Sequence, residues 1–251
     1  MKHITLLILA VFFSLRVLSQ DDAGEKALTV PLLSANFTVE VPGADMAVQF
    51  GTGFTVGGAF QIKTKKNILF GVEGNLLFGG HVKNQDAILA DISTKDGFVI
   101  ASSGYYADIF YEERGLSAFV KIGKIVPLNR QNPNSGLFLT LGPGYLQHKI
   151  RFDNNDNIAP QIIGEYKKGY DKLKGGFALS ENIGYFYLGK SHYFNFQAGF
   201  EFMQAWTKAL RSYDFNLRRK DTSRYLDLFY GIRVGWMIPL NKKTSSKYYY
   251  F

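Results

Sequence analysis

The stretch that decides the fold is Tyr225–Ile238, which reads YLDLFYGIRVGWMI. Every second residue from Leu226 onward is large and apolar, and most of the residues between them are polar or glycine. Such alternation is typical of a β-strand whose two faces meet different surroundings. The polar face holds glycines and single charges and no lysine, which suits a crowded interior better than a solvated surface.

Seven further segments have the same character: 30–41, 54–63, 68–78, 116–128, 137–151, 176–188 and 194–207. Three of them are less regular, because Phe119 lies on a polar face, Gly142-Pro143-Gly144 interrupts one strand, and Glu181 is in phase with apolar residues. The last feature predicts a β-bulge. Segments of roughly 10–15 residues suit tilted strands that cross a ~30 Å hydrocarbon layer. The sequence therefore predicts an all-β, eight-stranded antiparallel transmembrane barrel, with a soluble β-sandwich or lipocalin-like barrel as the alternative.

Composition agrees with a β architecture. The chain has 251 residues, with 26 glycines, 22 phenylalanines, 15 tyrosines and no cysteine. The lack of cysteine excludes a disulfide scaffold, a zinc ribbon and a thiol nucleophile. Beyond the N-terminus, no apolar run approaches the roughly 20 residues of a membrane helix.

The N-terminus has the features of a secretory signal peptide. A short basic start, Met1-Lys2-His3, precedes the apolar run Ile4–Leu15, and small residues at Val17 and Ser19 precede Gln20. We therefore expect a signal peptide over 1–19, a periplasmic segment over 20–27, the barrel over 28–240 and a periplasmic tail over 241–251.

The connections between the segments alternate in length. Short turns are expected at 64–67, 129–135 and 189–192, and long loops at 42–53, 79–115, 152–174 and 208–224. Bacterial outer-membrane barrels have short periplasmic turns and long extracellular loops, which predicts both termini in the periplasm. Trp206 and Trp236 fall at opposite strand ends, where interfacial aromatic girdles are expected.

The inward face carries charges, and an unpaired buried charge is costly. We expect a polar network in the lumen, in which Glu201 and Arg233 pair because both lie near mid-strand on neighbouring strands. This network is interpreted as a plug that fixes strand register, with a gated ion path as the alternative. Its expected members are Glu73, Lys121, Glu201, Asp227 and Arg233.

Two long loops carry opposite charge. Residues 81–115 have three basic and six acidic side chains, and residues 208–224 have six basic and two acidic ones. Mutual attraction would close a lid, with Asp86–Thr94 as a short helix that packs Ile88 and Leu89 on the barrel mouth. Lipopolysaccharide phosphate contact and ordinary solvated charge are the alternatives. The residues expected to make lipopolysaccharide or loop contacts are Lys208, Arg211, Arg218, Arg219 and Lys220.

No catalytic or metal motif is apparent. His81 and His148 are expected at extracellular strand ends, where an outer-leaflet enzyme would need them, but neither has a recognisable Ser/His/Asp spacing. The segment Asp153–Asn157 offers oxygen ligands but lacks the glycine and glutamate of an EF-hand loop. The basic residues are dispersed, so no nucleic-acid partner is expected. We predict no metal, no cofactor and no catalytic residue.

Several local motifs carry a family resemblance. These are the Leu18-Ser19-Gln20 cleavage context, Asn132-Pro133-Asn134-Ser135-Gly136, Gly169-Tyr170-Asp171 and Gly235-Trp236-Met237-Ile238-Pro239. Together with the strand pattern they resemble the small outer-membrane barrel proteins of Bacteroidota, in the PorT-like and OmpA-like grouping. The resemblance implies an outer-membrane location and an accessory role in a secretion or outer-membrane assembly complex. Outer-membrane lipid, lipopolysaccharide and protein partners are implied with it. An outer-leaflet lipid-modifying enzyme and a narrow channel are the alternatives.

The predicted orientation can be tested with epitope tags. A tag inserted within 153–157 should be accessible to antibody on intact cells, and a tag within 64–67 should become accessible only after the cells are opened. Labelling in the reverse pattern would show that the long loops face the periplasm.

Overall fold

The computed structural model of the chain describes residues 27–154, 159–189 and 193–240. The expected signal peptide and C-terminal tail lie outside the described residues. So do His192 with most of the third short turn, and most of the segment considered for calcium.

Eight antiparallel strands form a closed barrel, in which each strand pairs with its neighbours in sequence and β1 closes on β8. The predicted fold is confirmed. The strands are β1 (Val30–Gly43), β2 (Gly53–Lys63), β3 (Ile68–Gly79), β4 (Ile109–Pro127), β5 (Gly136–Asn154), β6 (Lys174–Leu188), β7 (Asn195–Ala209) and β8 (Arg224–Pro239). Short turns join them at one end of the barrel and long loops at the other.

Strand pairing corrects two details of the sequence prediction. The β6 ladder runs without a break against both β5 and β7 around Glu181, so the expected bulge is not there and Glu181 lies on the outward face. The expected interruption at Pro143 is local, because β5 is one strand of 19 residues whose ladder to β4 skips only two pairs. Proline has no backbone N–H to donate to such a ladder.

The long connection after β3 is shorter than expected. Strand β4 begins at Ile109 and not at Leu116, because it keeps pairing with β5 beyond the point where β3 ends. The remaining loop holds the helix α2 (Gln85–Ile88) and a 3-10 turn (Ala90–Ile92) within the segment where a short helix was expected. Another short helix, α1 (Ala44–Gln49), occupies the loop after β1.

The outer face of the barrel is apolar. Trp206 at the long-loop end and Trp236 at the short-turn end both point outward, and about half of each side chain is exposed. Outward aromatic rings stack at each end, as Phe177 with Trp206 and as Tyr187 with Phe196. An apolar band between two aromatic girdles is the pattern of a barrel that meets lipid.

No helix in the described part of the chain has the length and apolar character needed to cross a membrane.

A glycine on the inward face of β3 allows the backbone of β2 to approach closely. A methyl group added to Gly71 would lie 2.1 Å from the carbonyl oxygen of Phe60 and 2.7 Å from Cα of Gln61. By contrast, Gly74 on the same strand faces outward, and nothing lies within 4 Å of such a methyl group. Glycine is therefore required at position 71 by the close approach of the neighbouring strand.

These two glycines of β3 give a matched pair of variants. Gly71→Ala should lower the free energy of unfolding by about 1–3 kcal/mol, because the methyl group collides with the backbone of β2. Gly74→Ala should leave stability unchanged or raise it by a few tenths of a kcal/mol. Urea titration of the purified protein refolded in lipid vesicles measures both, and equal stabilities of the two variants would show that β2 does not restrict position 71.

Candidate functional site

The lumen is filled in layers, beginning with an apolar plug at the short-turn end. The turn between β4 and β5 folds under this plug, where Asn134 Oδ1 accepts hydrogen bonds from Lys63 Nζ and Leu28 N, both at 2.9 Å. Asn67 Nδ2 donates to Pro133 O at 2.9 Å. The Asn132–Gly136 motif thus closes this end of the barrel. The plug consists of Val30, Leu32, Leu69, Ile125, Phe138, Phe186, Leu188 and Met237.

A cluster of four charged side chains occupies the middle of the lumen. Arg233 donates to Glu73 at 2.6 and 2.9 Å and to both carboxylate oxygens of Glu201 at 3.1 Å. Lys121 Nζ lies 2.9 Å from Glu73 Oε1 and 3.6 Å from Glu201 Oε1. Each of these side chains is at most 4% exposed. The cluster is balanced in charge, with two acids and two bases, and it contains the Glu201–Arg233 pair expected from the sequence.

Neutral polar groups complete the coordination of the two carboxylates. Thr38 Oγ1 donates to Glu201 Oε2 at 3.0 Å, and Ser180 Oγ donates to Glu201 Oε1 at 3.1 Å. Asn75 Nδ2 donates to Glu73 Oε1 at 2.9 Å. Buried charge is tolerated when it is paired and hydrogen-bonded in this way.

Asp227 does not belong to this cluster, contrary to the sequence prediction. Its Oδ2 accepts from Thr207 Oγ1 at 2.6 Å and lies 3.0 Å from His148 Nε2. Asp227 and His148 are both fully buried. Asp227, Thr207 and His148 thus form a polar group separate from the charged cluster. Glu40, which is also buried, accepts a hydrogen bond of 2.7 Å from Thr55 Oγ1. His148 lies near the long-loop end of its strand, as expected from the sequence, but its side chain is buried inside the barrel and does not face the outer leaflet.

A cap built from the long loops covers the other end of the lumen. Its apolar side chains join those of the upper barrel, such as Leu146 and Phe229, in one cluster. Ile88 and Leu89 are buried in it, as their predicted packing on the barrel mouth requires. The other buried loop residues of the cap are Met46, Phe50, Val82, Val99, Ala101, Ala107, Ala159, Ile162 and Tyr170.

The charges of the two long loops make fewer contacts with each other than expected. Among the described residues, Arg218 forms an ion pair with Asp91 of the other loop at 3.8 Å, and the Arg218 side chain is 81% exposed. Arg211 binds Asp171 of the 152–174 loop instead. That hydrogen bond raises the pKa of Arg211 above its ordinary value.

Three other basic side chains of this region are solvent-exposed, Lys208 at the end of β7 and Arg219 and Lys220 in the last loop. None of the three has an acidic partner among the described residues. The two loops also meet through Asn216 Nδ2, which donates to Ile88 O at 3.1 Å. The cap is therefore held closed by apolar packing and local hydrogen bonds, and the opposite net charges of the two loops contribute little to its stability.

Two grooves open on the cap, and the sequence did not predict either of them. One of about 380 Å³ lies between α1, α2 and the last loop and has a mixed charged lining that includes Lys83, Lys168 and Asp214. The other, of about 570 Å³, is lined by Tyr166, Tyr170, Tyr213 and Phe215, with Arg218 and Asp91 at its side. The aromatic residues come from two loops that are distant in sequence, so only folding brings them together.

Comparison with known proteins gives low similarity. No protein-family model matches the chain, and no curated protein matches it. Among solved structures, Neisserial surface protein A (NspA) is similar over 83% of this chain and 96% of its own, at 12% identity and a TM-score of 0.40. Ail, the attachment invasion locus protein of Yersinia pestis, is similar over 84% of this chain and 99% of its own, at 10% identity and a TM-score of 0.37. The assignment of a closed barrel comes from the strand pairing of this chain itself.

The charged cluster can be tested by removing one charge and then its partner. Arg233→Leu should lower the free energy of unfolding by about 3–5 kcal/mol, because two buried carboxylates then share Lys121 alone. Adding Glu201→Leu should recover much of that loss, since Glu73 and Lys121 remain as a balanced pair. Urea titration in lipid vesicles measures both variants, and additive losses in the double variant would show that Glu201 and Arg233 are not coupled.

The basis of the lid can be tested by limited proteolysis. Leu89→Ala should speed trypsin cleavage after Lys83 and Lys95, because truncating a buried leucine removes packing worth about 2–5 kcal/mol. Reversal of Arg219 and Lys220 to glutamate is the control and should leave the cleavage rate unchanged. The opposite result for the two variants would mean that charge holds the lid closed.

Proposed function

We propose that this chain is a non-enzymatic integral outer-membrane barrel, which serves as a structural or accessory component of an outer-membrane assembly or secretion complex through its extracellular loops. The observation that carries the proposal is the filling of the lumen by an apolar plug, a charged cluster and a loop cap. An interior filled in this way leaves the outer surfaces as the place where other molecules bind.

The outer-membrane location is supported by the two faces of the strands. Most outward side chains between the aromatic girdles are apolar, and the inward ones at the middle of the barrel are polar, charged and buried. A water-soluble barrel would have the opposite arrangement, with its apolar face inside. The expected signal peptide supports export.

Lipid and lipopolysaccharide are proposed as partners at the long-loop rim. Arg114, Lys149, Arg151, Lys208 and Arg224 share the outward register of their strands near that rim. Arginine forks and lysine ammonium groups suit phosphate. Of the loop residues expected to contact lipopolysaccharide, Arg219 and Lys220 are exposed, Arg218 is exposed beside Asp91, and Arg211 is paired with Asp171.

Protein partners are proposed to bind the cap. Its loops are held in place by buried apolar side chains, and ordered loops on a rigid scaffold are common binding surfaces. The aromatic groove offers Tyr166, which is 66% exposed, beside the more buried Tyr170 and Phe215. Large aromatic side chains of this kind are frequent anchors in protein interfaces.

A mild-detergent pull-down from native cells tests the proposed function. The tagged protein should co-purify with a large membrane complex, and Tyr166→Ala should reduce the yield of that complex. The matched control is Tyr105→Ala, which removes a tyrosine that is 79% exposed and lies outside both grooves, and it should leave the yield unchanged.

The same purified protein separates the alternatives. Steady ion conductance in planar bilayers would support the channel, and a changed lipid A mass after incubation would support the lipid-modifying enzyme. Either result, with no complex recovered, would contradict the proposed function.

A further inference from the structure

The outer face of the barrel carries a carboxylate at mid-height, that of Glu181. On β6 this residue lies midway between the outward aromatic residues Phe177 and Tyr185. Strand pairing places it beside Leu141 of β5 and Phe202 of β7. Its outward neighbours along β6 and directly across both pairings are therefore apolar.

The Glu181 carboxylate has no hydrogen-bond or ion-pair partner among the described residues. The nearest polar side chain on the same face is that of Gln204, which pairs with Leu179 and is therefore a diagonal neighbour of Glu181 on β7. The Gln204 side chain also lacks a partner among the described residues. Glu181 and Gln204 are thus two neighbouring polar side chains without a hydrogen-bond partner among the described residues, on a part of the outer face that is otherwise apolar.

Backbone hydrogen bonding is also interrupted nearby, on strand β5, which is next to β6. The β4–β5 ladder skips the pairs of Pro143 and Gly142, and Pro143 is an exposed outward residue next to Leu141. Irregular or incompletely bonded backbone at membrane depth is tolerated where protein covers it. The interrupted ladder and the Glu181 carboxylate therefore both favour contact with protein on the outer face of β5–β7.

Lipid alone does not suit such a face. An ionised side chain at the middle of a bilayer is costly, and ionisable residues at that depth nearly always face protein or a water-filled cavity. Among the described residues no donor is bound to the Glu181 carboxylate, and the nearest polar side chain, Gln204, offers a neutral amide and no positive charge. A cationic side chain at the same depth is the strongest available donor.

A second copy of this chain would not provide that donor. The outward cations of the barrel lie near its rims, with Lys124 towards the short-turn end and Arg114 and Lys149 towards the long-loop end. Two copies with the same membrane orientation would bring Glu181 against apolar residues or against its own counterpart. Charge complementarity therefore favours a different protein.

We propose that the outer surface of β5–β7 around Glu181 is a docking surface for a membrane-embedded segment of another protein, which presents lysine or arginine at the depth of Glu181. The inference rests on the proposed outer-membrane location and names a partner surface distinct from the loop cap. The partner pairs its cation with Glu181 and places polar groups against Gln204.

Photo-crosslinking in intact cells tests the docking surface. The photoreactive residue p-benzoylphenylalanine replaces Ile183, which lies on the same face and is 57% exposed, in the full chain. The control replaces Val72 of β3, which is 54% exposed on another part of the barrel. An adduct should form from position 183 and not from position 72, and its partner peptide should be a membrane-embedded segment that contains lysine or arginine.

The dependence on charge makes the adduct informative. Combining the probe with Glu181→Leu should abolish the adduct, whereas Glu181→Asp should retain it. Absence of any adduct, equal adducts from both positions, an adduct with twice the mass of the chain, or an adduct that persists in Glu181→Leu would each overturn the proposal.

A measurement without the partner guards against a role for Glu181 in folding. In vesicles that contain only lipid and the purified protein, Glu181→Leu should shift the urea midpoint to a higher concentration, because a lipid-facing charge has been removed. A shift to a lower concentration would show that Glu181 stabilises its own barrel and would overturn the docking surface.

Cell fractionation separates this inference from the proposed function. If the folded chain is absent from the outer membrane, both are overturned. If the folded chain is present there and forms no adduct from position 183, the docking surface alone is overturned.

Discussion

The buried charges at mid-lumen are the constraint on which the rest of the barrel depends. Arg233 of β8 binds Glu201 of β7 and Glu73 of β3, and Lys121 of β4 completes the cluster. A shift of one residue in any of these strands would turn its charge from the lumen to the outer face. Breaking a buried pair is strongly destabilising even where the intact pair adds little net stability. The cluster therefore selects one register among strands that local pairing alone would leave free to slip.

The other features of the structure follow from filling this interior. Eight strands leave a lumen just wide enough for side chains, so large polar groups require glycine opposite them. An added methyl group on Gly142, for example, would lie 2.6 Å from Cγ of Lys121. Apolar side chains then close the short-turn end, and the packed loops close the other end. The two grooves of the cap and Glu181 on the outer face lie outside this filled interior.

The sequence predicted those features that depend on local alternation. The strand count, the two faces and the pairing of Glu201 with Arg233 follow from a period of two and from neighbouring strands. The second partner of Arg233 could not be predicted in this way, because β3 meets β8 only across the closed lumen. The same holds for Asp227 and His148, and for Arg211, whose partner Asp171 lies on a different loop. The bulge predicted at Glu181 was wrong because it assumed that every charge must face inward. Glu181 is the exception, and the proposed docking surface is centred on it.

A spin-label accessibility scan along β3 in lipid vesicles tests the central claim most directly, that the apolar face meets lipid and the polar face fills a closed lumen. Labels on outward Val72 and Leu76 should collide with oxygen, which concentrates in the bilayer. Labels on inward Asn75 and Leu77 should be shielded from oxygen and from a water-soluble nickel chelate, because both side chains are buried in the filled interior. Accessibility of the inward labels to nickel would reveal an open aqueous lumen. Accessibility of the outward labels to nickel would show that the outer face is in water. Either result would contradict the account.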